Sequence, residues 1–201
     1  MIYFVTAIGT DSGKTFFSAI LTEALQADYW KPIQAGLPRD TDTVITLISN
    51  PFSIFHPETY LLKLPMSPHS AALADNININ LEDILVPKFK KDLIIEGAGG
   101  VLVPINEKNF VIDIAKKFNA NVILVANVYL GSINHTLLTI NELMRRDLNI
   151  LGIVFNKSNN PETKRIILEK SGLKCLLDIK EEHNISPEIV KKYADELKIN
   201  L

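Results

Sequence analysis

The 201-residue sequence contains a single cysteine, Cys175. No disulfide can form within the chain, which is typical of proteins that work in a reducing cytoplasm. No apolar run approaches the roughly 20 residues that a membrane-spanning helix needs. The apolar start, Ile2–Ile8, has no basic flank and runs directly into polar residues, so it does not resemble a signal peptide. These absences predict a soluble, cytoplasmic protein in which Cys175 is a small buried side chain outside every catalytic motif.

The sequence also has almost no net charge. Its 21 basic and 23 acidic residues leave a formal charge of −2, which supplies no global field to attract nucleic acid or an anionic membrane. The four histidines are scattered without the spacing of a metal site. Because single cores commonly extend to roughly 250 residues, we expect one domain over residues 1–201.

Short apolar runs rich in β-branched and aromatic residues alternate with stretches of helical periodicity. The runs are apolar at successive positions, which is typical of strands covered on both faces, as in parallel sheets. They lie at residues 2–7, 29–33, 93–95, 122–126, 150–155 and, more weakly, 174–177. Residues 14–26 and 133–144 each carry one apolar helical stripe. The pattern predicts an α/β fold, a parallel sheet flanked by helices on both faces.

Local signals refine this outline. Asn160-Pro161-Glu162 and Ser186-Pro187-Glu188 each combine a capping side chain, a proline suited to the first helical turn and an acid, so both predict helix starts. The proline-containing stretch 50–68 interrupts the alternation. It predicts a long surface connection or an excursion at the sheet edge.

The strongest chemical signal is the loop Gly9-Thr10-Asp11-Ser12-Gly13-Lys14-Thr15, between the first strand and the first helix. In such a loop, backbone N–H groups and the helix N-terminus face a phosphate, the lysine reaches its outer oxygens, and the threonine hydroxyl lies where Mg²⁺ binds. The strict motif is not met, because Ile8 occupies the first glycine position. A strand-to-helix turn with a coincidental Gly-Lys-Thr is the alternative. The flanking strand and helix favour a nucleoside triphosphate site.

Other polar residues fall where ligands bind in open α/β sheets, at the carboxyl ends of strands. Lys31 lies in the end of the predicted second strand; burying it unpaired is costly, so it either pairs with a carboxylate or serves a phosphate or substrate. Glu96 ends another predicted strand and is a candidate Mg²⁺ ligand or base. Asp40 and Asp42 lie at a predicted helix start, where either alone is most often an N-cap.

Six motifs, in order along about the first 160 residues, resemble the dethiobiotin synthetase family, ATP-dependent ring-closing enzymes of biotin synthesis. They are Tyr3-Phe4-Val5-Thr6, the loop 10–15, Lys31-Pro32-Ile33-Gln34-Ala35-Gly36, Ser67-Pro68-His69, Glu96-Gly97-Ala98-Gly99-Gly100 and Leu130-Gly131-Ser132-Ile133-Asn134-His135, with Asp42 at the family's acidic position. The loop has the family's spacing of five residues before Gly-Lys-Thr, although Ala7 replaces the family's first glycine.

The resemblance implies a homodimeric enzyme that joins 7,8-diaminopelargonic acid, CO₂ and ATP into dethiobiotin, ADP and phosphate. A carbamate and then a carbamic-phosphoric anhydride would be the intermediates. Catalytic roles are implied for Lys14, Lys31 and Thr10, with Lys31 neutralising the carbamate. The remaining implied ligands are Thr15, Asp42 and Glu96 for Mg²⁺; Asp11, Ser12, Gly13, Lys14, Thr15 and Asn156 for the nucleotide; and Lys31, Ala35, Gly131, Ser132 and Asn134 for the substrate. The last three would bind a carboxylate at a helix N-terminus, across the dimer interface.

The segment from about residue 172 to 201 departs from the family pattern. After the last strand the family has a glycine- or proline-bearing loop that lines the base pocket, whereas residues 176–181 contain neither residue type. Asn156-Lys157-Ser158-Asn159 resembles the guanine-reading Asn-Lys-x-Asp of GTPases, but Asn159 replaces the acid that pairs with guanine. We therefore expect ATP with a loosely held base.

Two alternatives use a related loop. A partitioning-type switch ATPase would bind a protein or surface partner, but Gly9 stands where its signature lysine would be. Residues 188–201 predict a short helix of mixed charge, which suits ordinary packing better than a surface-binding tail. A related amidoligase or small-molecule kinase is the third candidate, and the small size of the chain leaves no second domain to make ammonia.

Overall fold

The computed structural model describes residues 1–198, in which helices cover both faces of a parallel sheet. The strands are β1 (Ile2–Ala7), β2 (Asp28–Trp30), β3 (Ile33–Ala35), β4 (Phe55–His56), β5 (Tyr60–Leu62), β6 (Leu93–Glu96), β7 (Asn121–Asn127), β8 (Ile150–Asn156) and β9 (Cys175–Asp178). The α-helices are α1 (Lys14–Leu25), α2 (Asp40–Leu47), α3 (Pro68–Ala74), α4 (Ile112–Lys117), α5 (Ser132–Arg145), α6 (Pro161–Ser171) and α7 (Pro187–Lys198). A 3₁₀ turn covers Leu81–Asp83. The predicted α/β class is confirmed.

Seven strands form the main sheet in the order β4-β2-β6-β1-β7-β8-β9, with every pair parallel. Strand β1 lies at the centre, with Val5 opposite Glu96 of β6 and Ala7 opposite Val125 of β7. The chain crosses from one side of β1 to the other at this point, and ligands of open α/β sheets bind at such switch points, beyond the carboxyl ends of the strands. The loop after β1 and the ends of β2 and β6 therefore lie together at one edge.

Strand β1 shows why the strands are apolar at successive positions. Tyr3, Val5 and Ala7 pack into the core built with α1 and α7, whereas Phe4 belongs to the core on the opposite face. Phe4 and Val5 have no exposed surface, and burying each side chain stabilises the fold by about 1.5–3 kcal/mol. Both faces of the sheet are thus covered, as the sequence pattern predicts.

The predicted strand over residues 29–33 is wrong in extent. Strand β2 ends at Trp30, and β3 leaves the main sheet to form a separate two-stranded sheet with β5. Pro32 lies between β2 and β3 and has no N–H to donate to a ladder, while its carbonyl accepts from the Tyr60 N–H at 2.9 Å. Lys31, expected within a strand, therefore lies in the break between two sheets, where its side chain can point into a site.

The stretch 50–68 is confirmed as an edge excursion, because it contains the edge strand β4 and the small-sheet strand β5. The first predicted cap is also present: the Asn160 side chain accepts from the Glu162 and Thr163 N–H groups, both at 3.1 Å. Helix α7 begins at Pro187, as predicted. The last three residues of the predicted helix 188–201 lie outside the described residues.

The C-terminal segment packs onto α1, where the rings of Tyr193 and Phe16 meet edge to face with centroids 6.2 Å apart.

Cys175 begins β9 and is half-buried, and burial and then the charge of Asp178 raise the pKa of its thiol. Within residues 1–198, no helix combines the length and the apolar character that crossing a bilayer would require.

Glu23, near the end of α1, ties this helix to the residues that follow α2. Its buried carboxylate accepts from the N–H and hydroxyl of Ser49, both at 2.8 Å, and from the N–H and side-chain amide of Asn50 at 3.0 and 3.1 Å. Burial by itself would raise the pKa of Glu23, but these hydrogen bonds outweigh it and hold the pKa below its ordinary value.

We expect Glu23→Gln to lower the free energy of unfolding by about 1–3 kcal/mol at pH 7, because the amide replaces an accepting oxygen with a donor inside a set of donors. The pKa of Glu23 is lower in the folded chain, so its stabilisation is present above the ordinary value of 4.5 and is lost as the pH falls through the folded value. Urea unfolding at pH 7 and pH 3 measures both effects.

The exposed Glu107→Gln exchange is the matched control, since it makes the same chemical change on the surface. The two variants should differ widely in free energy of unfolding at pH 7 and less at pH 3. Equal losses of stability at pH 7 would contradict the role assigned to Glu23.

Candidate active site

The loop between β1 and α1 has the backbone of a phosphate site. Asp11 and Gly13 adopt left-handed conformations with φ of 56° and 98°, and Gly13 is the N-cap of α1 without a side-chain cap. The first N–H groups of a helix have no partner within the helix, so this N-terminus is open to an anion. The Lys14 side chain folds back and donates to the Gly9 carbonyl at 3.2 Å. The loop therefore presents backbone donors and a lysine at one place.

A cavity of about 650 Å³ opens beside this loop, a size typical of small-molecule sites. Its walls are the loop, the β2–β3 junction with the turn that follows it, the end of β6 and residues 65–68. Eight of the predicted site residues line it: Thr10, Asp11, Gly13, Lys14, Thr15, Lys31, Ala35 and Glu96. The structure thus gathers residues from three separate motifs of the sequence.

Glu96 is the centre of the polar network in this cavity. Its Oε1 accepts from the Thr15 hydroxyl at 2.9 Å and from Lys31 Nζ at 3.1 Å, and its Oε2 accepts from the Tyr29 hydroxyl at 2.9 Å. Burial would raise the pKa of Glu96, but the cations Lys31 and Lys14 outweigh it and lower the pKa below its ordinary value. The carboxylate is therefore charged although only 1% of the residue is exposed.

The two lysines differ in how their charge is held. Lys31 is buried and forms ion pairs with both Glu96 and Asp40, which outweigh the effect of burial and keep its pKa above the ordinary value. For Lys14 burial is the largest influence; despite the attraction of Glu96, it lowers the pKa to about 8. The charge of Lys31 is thus stabilised by its two carboxylate partners. The charge of Lys14 is destabilised by burial and would be stabilised by an anion bound at the loop.

The structure does not bring Asp42 to Thr15 and Glu96. Its half-exposed carboxylate faces Arg39, which donates from Nε at 2.9 Å and from Nη2 at 2.5 Å. Asp40 points into the cavity instead, toward Lys31. Residues two apart on a helix do not share a face, so the first turn of α2 directs only one of these acids into the site.

Asn156 lies behind the loop, and neither Asn156 nor Ser12 of the loop lines the cavity. Asn156 ends β8, is buried, and donates from Nδ2 to the Ser12 carbonyl at 3.0 Å. Ser12 itself is buried. The structure connects these two residues to each other, and their contacts with a nucleotide stay predictions.

The segment Gly131, Ser132 and Asn134 lies apart from the cavity. Gly131 has φ of 104° and is the N-cap of α5, again without a side-chain cap. The Ser132 hydroxyl accepts from the Tyr129 N–H at 3.3 Å, and Asn134 is exposed. This segment borders a second cavity of about 360 Å³ between the starts of α5 and α6. Within one chain, the predicted substrate residues are therefore divided between two places.

Sequence reasoning missed Tyr29 and the role of Asp40. A tyrosine in a buried strand needs a partner for its hydroxyl, and Glu96 ends the neighbouring strand, so the pairing of β2 with β6 was the missing information. Asp40 was considered only as a helix cap. Its N–H donates to the Gln34 side chain at 3.1 Å, which orients the start of α2 over the cavity.

Comparison with known proteins finds similarity over nearly the whole chain. A family model described as an AAA domain matches residues 2–189. The ATP-dependent dethiobiotin synthetase of Cytophaga hutchinsonii is 56% identical over 197 residues, which cover 97% of this chain and 96% of the relative. The enzyme of the same name from Christiangramia forsetii is 45% identical over 201 residues, covering 99% and 97% of the two chains.

Solved structures show the same fold at much lower identity. A ParA family ATPase from Chlorobium tepidum TLS superposes with a TM-score of 0.60 at 12% identity, covering 98% of this chain and 92% of that one. The septum site-determining protein MinD of Pyrococcus horikoshii OT3, complexed with Mg-ADP, gives 0.59 at 14% identity, covering 98% and 96%. At such identities the likeness concerns the fold alone.

We expect Tyr29→Phe to lower the free energy of unfolding by about 1–3 kcal/mol, because it leaves a buried oxygen of the Glu96 carboxylate without its donor. Burial and then the charge of Glu96 raise the pKa of Tyr29 well above its ordinary value, so the hydroxyl remains a neutral donor throughout the usual pH range. Urea unfolding at pH 7 measures the loss.

The matched control is Tyr3→Phe, since Tyr3 is also buried but its hydroxyl contacts only a weak acceptor, the Met1 sulfur, at 3.8 Å. A loss for Tyr29→Phe no larger than that of the control would show that the Glu96 contact contributes nothing to stability.

Proposed function

The chain belongs to the ATP-dependent dethiobiotin synthetase family, and we propose that it joins 7,8-diaminopelargonic acid, CO₂ and ATP into dethiobiotin, ADP and phosphate. The observation that carries this proposal is the placement of a buried, charged Lys31 beside a phosphate loop in one cavity. A cation fixed there can receive an anionic group of the substrate in the same cavity as a phosphate bound to the loop.

The reaction needs no nucleophile from the protein. One substrate amine attacks CO₂ and loses a proton to give a carbamate, and a carbamate oxygen then takes the γ-phosphoryl group of ATP with release of ADP. The second amine attacks the carbonyl of this mixed anhydride and loses a proton, the C–O bond to phosphate breaks, phosphate leaves, and the ureido ring closes. Catalysis of such steps consists mainly of positioning and of charge stabilisation, which is what two lysines and a helix N-terminus provide.

The residues divide into two groups in this proposal. The backbone of Asp11, Ser12 and Gly13 and the side chains of Lys14 and Thr15 hold the triphosphate at the start of α1. From the β2–β3 junction, Lys31 neutralises the carbamate and Ala35 leaves room for the substrate chain, while Thr10 of the loop donates a hydrogen bond nearby.

The cavity also fits a Mg²⁺ ion. The Thr15 hydroxyl and Glu96 Oε1 lie 2.9 Å apart, and oxygen ligands of this kind suit a hard cation. Residues 1–198 contain no group of three or more His, Cys, Asp or Glu side chains arranged to hold a metal, consistent with an ion that takes further ligands from phosphates and water. We propose Thr15 and Glu96 as ligands, with Asp42 as a third once it leaves Arg39. When bound, the ion would neutralise charge on the phosphate oxygens.

A second copy of the chain completes the site in this proposal. Gly131, Ser132 and Asn134 do not line the first cavity, so we propose that a substrate whose carboxylate binds to them extends to Lys31 across a subunit boundary. Exposed apolar side chains lie next to this segment and farther along α5: Leu130 is fully exposed and Leu138 is 59% exposed. Contiguous exposed apolar surface is typical of an interface. The enzyme is then a cytoplasmic homodimer without nucleic-acid or membrane partners.

The partitioning-type ATPase is the less favoured function. The relatives at 45–56% identity are dethiobiotin synthetases, whereas the ParA and MinD structures share only 12–14% of the sequence. Gly9 also replaces the signature lysine of the partitioning proteins. An ATPase activity that a protein or membrane stimulates, and that diaminopelargonic acid does not affect, would reverse this preference.

The direct test supplies the purified chain with 7,8-diaminopelargonic acid, bicarbonate and Mg·ATP. We expect dethiobiotin by mass spectrometry and one phosphate released per ring closed. Lys31→Met should lower kcat by roughly 10²–10³-fold, the usual effect of removing one group that stabilises transition-state charge. Absence of dethiobiotin with the wild-type chain would exclude the proposal.

Lys63→Met is the matched control for Lys31→Met, because the side chain of Lys63, just after β5, is 84% exposed and Lys63 does not line the cavity. Its kcat should equal that of the wild type. A comparable loss in both variants would mean that Lys31 has no specific role.

Comparing Asp42→Asn with Asp40→Asn tests which of these two aspartates is a Mg²⁺ ligand. We expect Asp42→Asn to raise the Mg²⁺ concentration at half-maximal rate about tenfold or more, since a carboxylate ligand binds Mg²⁺ far better than an amide. Asp40→Asn should leave that concentration near the wild-type value. If Asp40→Asn raised that concentration and Asp42→Asn did not, the ligand would be Asp40, which already points into the cavity. Mn²⁺ binding followed by electron paramagnetic resonance gives a second readout without turnover.

A further inference from the structure

The side chain of Asn156 makes a hydrogen bond within the protein that contact with a nucleotide base would not require. It lies at the end of β8, two strands away from β1 in the sheet, and its side chain is directed back toward the phosphate loop. The donor Nδ2 lies 3.0 Å from the carbonyl oxygen of Ser12, a residue 144 positions earlier in the chain. The residue is 6% exposed, so this hydrogen bond is made inside the protein.

The loop needs this contact because of its own backbone. Left-handed residues stand on both sides of Ser12, with φ of 56° at Asp11 and 98° at Gly13. These turns direct the Ser12 carbonyl inward, and a buried carbonyl without a donor is costly. The Asn156 amide supplies the donor and thereby stabilises the turn that presents the loop to the cavity.

Packing at Gly13 supports the same conclusion. A Cβ added at residue 13 would lie 2.2 Å from Asn156 Nδ2 and 2.9 Å from its Cγ. The amide therefore fills the space directly behind the loop, in contact with the backbone of the residue that caps α1. A change at position 156 would alter the support of the loop before it altered any contact with a base.

We infer that Asn156 is a positioning residue of the phosphate loop, which promotes nucleotide binding through the triphosphate and independently of the base. The inference deepens the proposed nucleotide site and rests on it for the class of ligand. It distinguishes the two ends of the nucleotide: a residue that positions the loop affects every triphosphate equally, whereas a base reader affects only ligands that have a base.

The experiment compares binding of Mg·ATP with binding of inorganic triphosphate, which has no base, by titration calorimetry. We expect Asn156→Ala to weaken both ligands by the same factor, about tenfold, the usual effect of losing one hydrogen bond in a binding site. Asn149→Ala, at an exposed residue just before β8, is the matched control and should leave both affinities unchanged. Weaker ATP binding with unchanged triphosphate binding would overturn the inference in favour of a base contact.

Asn156→Asp provides a second variant of nearly the same shape, in which an oxygen replaces the donor that faces the Ser12 carbonyl. In the absence of ligand, amide hydrogen exchange over residues 9–15 should be faster in both variants than in the wild type, with the rest of β8 unchanged. Unchanged exchange in this loop would also overturn the inference. If the wild type bound neither ligand, the proposed nucleotide site would fail, whereas the exchange comparison would still test the role of Asn156.

Discussion

The carboxylate of Glu96 is the constraint on which the site depends. A buried carboxylate is strongly unfavourable unless charges and donors compensate it, and here Lys31, Thr15 and Tyr29 do so. These partners come from the β2–β3 junction, from the first turn of α1 and from β2. Compensation of one charge therefore holds three elements in a single arrangement at the carboxyl edge of the sheet. The same contacts that stabilise the fold also place a lysine, a hydroxyl and a carboxylate around the cavity.

The distribution of charge explains how a chain with a formal charge of −2 can handle anionic ligands. Attraction comes from a few directed groups, because Lys14, Lys31 and the uncapped start of α1 all meet at one cavity. Low exposure strengthens each of these interactions, since water screens them poorly there. In the proposed reaction the reactants carry all the functional groups that form bonds, so directed charge of this kind would be the main contribution of the protein.

The phosphate loop is supported from two sides. From the cavity side, Thr15 hydrogen-bonds to Glu96, and from behind, Asn156 donates to the Ser12 carbonyl. Strands β6 and β8, which carry these two residues, lie on opposite sides of β1 in the sheet. Because β1 is central, residues remote in sequence can fix the loop that follows it from both sides. This is the physical reason why a switch point in a parallel sheet holds a loop in place.

The sequence by itself determined the α/β class, the positions of the main strands and the phosphate loop, because these follow from periodicity and from motifs read along the chain. It also identified Lys31 and Glu96, since a charged residue at the end of an apolar strand is unusual at either position. Only the tertiary structure decided that Pro32 separates β2 from β3, that Asp40 and not Asp42 points into the cavity, and which side chains meet Glu96. Those features depend on strand order and helix rotation, which bring together residues up to 81 positions apart, and no local pattern records such pairings.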